Sequence, residues 1–596
     1  MPQVVANDVE MRRILDLPRR PQEWDEAKTE KARTLMTNWL KTPNGTWRLN
    51  AIQARMLVEA ADYGVLCGPN VQAGGGKTLA SMLLPTVMKA KRALLLVPAA
   101  LREKTFDDYN VLKEQFKINL MLRPEEKAPP GVDVIRVMAY ETISSVNYAT
   151  WIDEYAPDLI IADEAHCLKQ KKSGRSRRVF RYIGASRRRG HPVAFVPLTG
   201  TGWSRSISEI AHLMEASLGD QSPLPRLYTS LESWCMAVDQ GIREDQRYGP
   251  GALLQLCSAE QTTQGLDGLR NAIRDRVLET PSVISTKAIT CGIPLILQRR
   301  HIEVPPTIRS SMEALRKSYV LPTGAQVEKG VTFWNHAREI ANGFAYYWDP
   351  PPPQPWLEAR NAWAAFVRNV IDHPPKKMTF DTPLQVWNAV EHGTFGDVPE
   401  FTAWKNIRDT FKARTIPHWI SDYMLRDAEQ WAIENKGIVW VMHSTAYTSE
   451  EITVSEDDIG AQFKLIPYFG AGDERIKTYK GPCAASVRAH GTGKNLQQFN
   501  EALIMGFPSS GKTVEQLLAR LHREGQKADL VKFNFYAHSK ENLDALEKAL
   551  GDAAFVKATS GSDQRILNAK ILDSDGRSFS IKSFREQQDP RDSLWG

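Results

Sequence analysis

Three stretches of the sequence carry residue types that can handle a polyphosphate. The first is VQAGGGKTLASMLL at 71–84, where three glycines precede a lysine and a threonine. Gly74, Gly75 and Gly76 let the backbone wrap closely around phosphate oxygens. Their N–H groups, with the start of a following helix, form an anion cradle. Lys77 can reach the β- and γ-phosphates, and the Thr78 hydroxyl can hold Mg²⁺. The second stretch is DLIIADEAH at 158–166, in which four apolar residues of a buried strand end in acids. Ligands of open α/β sheets bind at that end of a strand. Asp163 can hold Mg²⁺ through its water shell, and Glu164 can polarise an attacking water as general base. ATP and Mg²⁺ are the expected cofactors.

The third stretch is VEQLLARLHREGQ at 514–526. Gln516, Arg520 and Arg523 stand at i, i+4 and i+7, and the spacing predicts a helix carrying all three on one face within about 60°. Two guanidiniums projecting together can grip γ-phosphate oxygens with fork geometry, as an arginine finger does. A rival phosphate loop also exists. GFPSSGKT at 506–513 fits the pattern G-x-x-x-x-G-K-T without exception, whereas 71–78 begins with Val71 where the pattern wants Gly or Ala.

The elements that must position these residues follow from composition and periodicity. At 596 residues the chain is too long for one core. With 42% hydrophobic and 24% charged residues it has the composition of a soluble globular protein. From about 46 to 215, buried-strand runs alternate with amphipathic segments: VLCGPNV, RALLLVP, DVIRVMAY, DLIIADE and VAFVPLT. The same patterning returns at 419–560 with GIVWVMH, FKLIPYF, AASVRA, EALIMGF and LVKFNFYA. The expected fold is therefore α/β, with two parallel-sheet lobes in one chain and a helical insertion between them. The expected segments are a helical lead-in at 1–45, an ATP-binding lobe at 46–215, the insertion at 216–418, a second lobe at 419–560, and a polar, weakly ordered tail at 561–596. Seven of the sixteen Trp lie between Trp334 and Trp419. They are expected to form the core of a helical subdomain, with base stacking as the other reading.

Charge and cysteine usage narrow the partners. Residues 169–190 hold ten of the 76 Lys and Arg and no acid, and without them 66 basic residues face 70 acidic ones. A concentrated basic patch is what binding to a phosphate backbone requires, although a solvated loop is the competing explanation. No apolar run reaches the length of a membrane span, and no signal-peptide pattern opens the chain. We expect no membrane association and a cytoplasmic location, in a bacterium or a phage-infected cell. The six cysteines lack zinc-ligand spacing, which fits a reducing compartment with no structural metal.

These motifs, in this order, resemble superfamily 2 helicases of the DEAH-box kind. The resemblance is closest to the chromatin-remodeller (sucrose-nonfermenting) translocase branch, in a compact form similar to phage or bacterial members. DEAHCLKQKKS resembles the branch's DEAH stretch, with Lys169 and Ser173 in matching places. LLLVPAALREKT, which contains Pro98, and MAYETISS resemble its DNA-contact motifs. PLTGTGWSRSISEI resembles its coupling motif, with Thr199, Gly200 and Thr201 in place and Gly202 replacing the usual Pro. RLNAIQARML resembles the glutamine motif and would put Gln53 on the adenine. HGTGKNLQQFNEALIM, with Gly493 and Asn495, resembles the motif that couples DNA to the cleft, and VWVMHS the one opening the second lobe. The arginine stretch resembles Q-x-x-G-R-x-H-R-x-G-Q, with Ala519 for the usual Gly. In this order GFPSSGKT becomes a linker into the arginine helix and not a phosphate loop. RDRVLETPSVISTKAI (274–289) and IPLILQRRHIEVPP (293–306) fit the helical protrusions that the branch carries between its lobes.

The resemblance implies that the two lobes are RecA-like and that the chain is a nucleic-acid-dependent ATPase. It would be an ATP-dependent DNA helicase or translocase, a monomeric motor on single- or double-stranded DNA, with replication or repair proteins as further partners. Pro98, His166, Lys169, Thr199, Gly200, Thr201, Gly493 and Asn495 are the implied coupling or DNA-contact residues. An RNA helicase, and a nucleic-acid-binding scaffold with a weak ATPase, remain open alternatives.

Overall fold

The computed structural model describes every residue except 1–2, 21–23, 73–74, 201, 287–290, 325–326, 328–329, 376–377, 379, 381, 413–414, 443–458, 492–493 and 596. The sequence calls on Gly74, Thr201, Gly493 and the end of VWVMHS lie outside the described residues. The chain divides into two compact units. The first comprises Met1–Ala288, Ala359–Asn406 and Phe555–Ser562, and the second Ile289–Glu358, Ile407–Ala554 and Asp563–Gly596.

The first unit is built on seven parallel strands: β1 (Cys67–Asn70), β2 (Arg92–Val97), β3 (Leu120–Leu122), β4 (Val134–Ala139), β5 (Leu159–Asp163), β6 (Ala194–Leu198) and β7 (Val283–Ser285). Their order across the sheet is β3-β4-β2-β5-β6-β1-β7, and every pairing is parallel. A parallel sheet covered by helices must bury both faces, and alternate residues of one strand do so here. Leu94 and Leu96 enter one core cluster with Ile160, Ala162 and Phe195. Ala93, Leu95 and Val97 enter another with Leu159, Ile161 and Val196.

The second unit holds β8 (Leu295–Arg300), an antiparallel ribbon of β9 (Phe344–Trp348) and β10 (Thr415–Trp419), and then β11 (Ile438–Val441), β12 (Tyr468–Phe469), β13 (Cys483–Ser486), β14 (Glu501–Met505), β15 (Val531–Tyr536) and β16 (Lys570–Leu572). Its sheet runs β12-β13-β11-β14-β15-β8-β16, again with all pairings parallel. Rank these strands by chain position, leaving out the ribbon, and the order is the same as in the first sheet. The α/β class with two parallel-sheet lobes is thus what the chain adopts, and the two sheets share one topology.

Two segments expected among helical protrusions are strands instead. Within 274–289 the run Val283–Ser285 is β7, on the edge beside β1. Within 293–306 the run Leu295–Arg300 is β8, which pairs with β15 on one side and β16 on the other. The reason is visible in burial: Val283 and Ile284 are core residues, and Leu295 and Leu297 alternate inward from β8.

Residues 561–596, expected as a weakly ordered tail, are folded. They supply β16 and the helix Ile581–Glu586. Sparse apolar residues suffice to anchor them, since Ile571, Phe579 and Phe584 pack on the second unit's core and Leu594 is 1% exposed.

The tryptophans near the middle of the chain behave as core. Trp363 joins Val367, Val386 and Phe401 in a small cluster that Trp387 and Trp404 pack against. No helix among the described residues is long and apolar enough to cross a membrane.

Candidate nucleotide site

The phosphate-loop residues sit at the C-terminal end of β1, where the chain leaves the sheet for the helix Lys77–Val87. Gly76 caps that helix with φ +77°, a conformation that favours glycine, and has no side chain with which to cap it. Val71 replaces the Gly or Ala of the pattern without conflict. It is fully buried, and its methyls fill the space that side chains on Gly68 and Gly75 would need. The backbone at Val71 is held by Thr199, whose carbonyl accepts the Val71 N–H at 2.8 Å.

Gln53 braces the loop. Its amide oxygen accepts the Asn50 N–H at 2.8 Å, and its amide nitrogen donates to the Gly76 carbonyl at 3.2 Å. A Cβ on Gly76 would lie 2.3 Å from that nitrogen, so any larger residue would displace the Gln53 amide as well as meet the cost of the positive φ. One amide N–H and one oxygen lone pair of Gln53 stay outside these two bonds, the pair of groups that would meet an adenine edge.

Two supports escaped the sequence reading. The Gln72 N–H donates to Thr286 Oγ1 at 3.0 Å, and Gln72 Nε2 donates to Ser562 Oγ at 2.8 Å. Thr286 follows β7, and Ser562 lies nearly five hundred residues beyond the loop. No local pattern announces either, because their role is created by tertiary contact.

The acids arrive from β5, separated from β1 by β6 alone. Asp163 is the last residue of that strand and is 8% exposed. Burial, and after it the charge of Glu164, push its carboxyl up to about 6, while Lys77 pulls the other way. Its backbone carbonyl accepts the Tyr140 hydroxyl at 2.8 Å, and its carboxylate accepts the Glu164 N–H at 3.0 Å.

Glu164 adopts φ +54°, a strained backbone for a residue with a side chain, of the kind that concentrates at functional sites. The turn sets one carboxylate oxygen 3.8 Å from Lys77 Nζ and the other 3.1 Å from His166 Nδ1. Lys77 Nζ also donates to the Val71 carbonyl at 2.8 Å. His166 Nδ1 lies 3.1 Å from Thr199 Oγ1. Gly200 follows, and a Cβ there would approach Lys77 Nζ at 3.5 Å. A continuous polar path therefore joins Lys77, Glu164, His166 and Thr199, which the sequence places in three separate motifs.

The oxygen donors fit the expected cation. Mg²⁺ is usually held by one or two carboxylates together with substrate phosphates, and less often by an all-protein cage. Asp163 and the half-exposed Thr78 supply one carboxylate and one hydroxyl. Among the described residues no group of three or more His, Cys, Asp or Glu could form a cage.

In solved structures, the chain is similar to the Sulfolobus solfataricus SWI2/SNF2 ATPase core in complex with dsDNA. The identity is 12% and the TM-score 0.32, over 87% of this chain and 95% of that one. No family model and no curated protein matches. At that TM-score the likeness establishes nothing about activity, and the site's chemistry is read from its own residues.

The arginine stretch belongs to the second unit and differs from the single-faced helix expected for it. The helix Gly511–Leu521 stops before Arg523. His522 leaves the helical region because Nε2 donates to the Ile293 carbonyl and the Arg565 Nε takes the His522 carbonyl at 2.9 Å. Arg523 therefore reaches its place from the turn, not from the helix face. The two arginines still converge on one segment. Arg520 Nη1 donates to the Lys494 carbonyl at 2.7 Å, and Arg523 Nη1 to the Asn495 side-chain oxygen. Arg520 Nε also bonds the Gln516 carbonyl at 2.9 Å, which leaves Arg520 only 6% exposed.

The rival GKT begins the same helix but is filled from within. The Gly511 N–H donates to Asp552 Oδ2 at 3.1 Å, and Ser510 Oγ accepts the Thr513 N–H. A Cβ on Gly511 would meet the Ala549 carbonyl at 2.8 Å, so this glycine serves close helix packing.

Among the implied DNA-contact residues, Pro98 opens a short turn after β2, and its carbonyl accepts the Leu101 N–H at 2.9 Å. Lys169 pairs with Glu209 at 3.3 Å. The basic segment is largely invested in the first unit itself. Arg178 is fully buried and donates to the Ile143 and Ser145 carbonyls, while Lys172 and Arg177 pair with Asp372. Lys171 and the run Arg187, Arg188 and Arg189 are exposed, the last three at a helix C-terminus.

Proposed function

We propose that this chain is an ATP-driven DNA translocase or helicase of the superfamily 2 DEAH-box kind. In this reading it is closest to the chromatin-remodeller translocase branch, is of phage or bacterial origin, and works as a cytoplasmic monomer in replication, recombination or repair. The observation that carries the proposal is the path from Lys77 through Glu164 and His166 to Thr199, set beside a loop that enters its helix through Gly76 at φ +77°.

Lys77 and the loop N–H groups bind the phosphates of ATP. A γ-phosphate competes with Glu164 for the Lys77 ammonium. Released from that pairing, Glu164 takes a proton from the attacking water. Asp163 and Thr78 would hold Mg²⁺, which when bound neutralises phosphate charge. His166 and Thr199 report the state of Glu164 to the end of β6. Arg520 and Arg523 are the candidate arginine fingers of the second unit, and Asn495 and Gly493 the residues that couple their segment to DNA. Along DNA, the exposed Arg187, Arg188 and Arg189 are the cations of the basic segment best suited to phosphates.

ATPase rate should rise with duplex DNA and much less with RNA of equal length. Reversal of all three arginines to Glu should weaken DNA binding and flatten its salt dependence. Equal stimulation by RNA, or unchanged DNA binding in the variant, would sink the corresponding half of the proposal. Triplex displacement measured beside strand displacement separates translocation from unwinding.

A further inference from the structure

The first unit carries a concave surface that the nucleotide chemistry does not use. It is a groove of about 680 Å³, walled by one face of the helix Gln354–Asp372 and by Pro383 and Trp404. Its floor is apolar, with Trp363 at 8% exposure and Val367 at 6%. Its rim is basic: Arg360 and Arg368 on the helix, and Lys172 facing them. The acid at the rim, Asp372, already faces two cations, Lys172 at 2.9 Å and Arg177 at 3.0 Å.

We propose that this groove docks an acidic, amphipathic helical segment of a partner protein. Its volume lies within the range of ligand-binding clefts. A helix laid in an apolar groove is anchored by residues at i, i+3, i+4 and i+7, and the wall helix here presents the matching stripe. Arg360 and Arg368 stand eight residues apart, or about 12 Å along the helix axis. A partner helix with acids two turns apart would bring one carboxylate to each. Ala364, exposed between them, leaves room for a close approach.

A nucleic acid fits less well. Single strands need aromatic faces on which bases can stack. Trp363 stacks on Phe366 at 5.6 Å and 19°, and Trp387 meets it edge-on at 5.7 Å. Its ring is consumed by the core.

The test is selection from a displayed library of random 16-residue peptides on the full chain, with the groove-filling variant Ala364→Trp as counter-selection. Binding of the selected peptide is then measured by fluorescence anisotropy. The enriched sequences should combine Asp or Glu with Leu, Phe or Trp at helical spacing. Arg360→Glu with Arg368→Glu should weaken the selected peptide roughly tenfold or more and leave DNA-stimulated ATPase unchanged. Failure to enrich any sequence over Ala364→Trp would overturn the proposal, as would enrichment of basic sequences. A double variant that binds the peptide normally but a duplex oligonucleotide poorly would make the groove a nucleic-acid surface instead. Equal melting temperatures for wild type and variants confirm that each comparison is between folded proteins.

Discussion

The two sheets have the same strand order and opposite uses of it. In the first, the strand β1 runs into glycines and Lys77, and β5, two places away, ends in Asp163 and Glu164. In the second, the strand that corresponds to β1 is β8, and it runs into HIEVPP. Two prolines and no glycine stand where a phosphate cradle would form, and proline offers no N–H. The better-matching GKT follows β14, the counterpart of β5, so it occupies the place of the acids and not that of the loop. One topology thus yields a glycine-led helix start, the proposed nucleotide cradle, in one unit and a self-capped helix in the other. What distinguishes them is that Gly76 caps the first helix without a side chain while Ser510 caps the second with its hydroxyl, and not the quality of a local motif.

The largest expected effect that sharpens this contrast is at Glu164. Glu164→Gln should lower ATP turnover about 10²–10⁴-fold, the usual worth of a general base, while nucleotide binding persists. Steady-state ATPase assays beside binding of a fluorescent nucleotide would show it, and loss of binding with little change in turnover would contradict the role.

How far the sequence reveals this depends on where the determinants lie. The strands β2, β5, β11 and β14 are legible because buried parallel strands are near-continuous apolar runs. β7 and β16 are three residues long, and β8, beside the edge, is only half apolar, so their runs merge into neighbouring helical patterns. Lys77, Asp163 and Glu164 could be named as candidates because the chemistry proposed for them is carried by local motifs. The end of the arginine helix is not, because Ile293 and Arg565 set it from far along the chain. The supports Thr286 and Ser562 are hidden for the same reason.

An intermediate effect is expected from pH. The folded protein raises Asp163 from the usual 3.8 to about 6. The group therefore binds its proton more tightly when folded. Its contribution to stability is full below about pH 4 and is lost as pH rises through 6. Activity runs the other way, since a protonated Asp163 cannot hold Mg²⁺. ATPase rate should fall as pH drops through about 6, and more Mg²⁺ should move that midpoint lower. A midpoint near 4 that ignores Mg²⁺ would show that Asp163 is not the group involved.

The smallest effect probes the second unit. Gly511→Ala should cost about 1–3 kcal/mol by overpacking against Ala549 and Asp552, read as a lower unfolding midpoint in urea. ATP turnover per folded molecule should not change. A variant of normal stability with impaired turnover would give the rival GKT a role in catalysis.

The contrast between the two units is tested most directly by two lysines in one assay. DNA-stimulated ATPase should vanish in Lys77→Ala and stay close to wild type in Lys512→Ala. If Lys512→Ala is the variant that loses activity while Lys77→Ala retains it, the cradle has been placed on the wrong sheet.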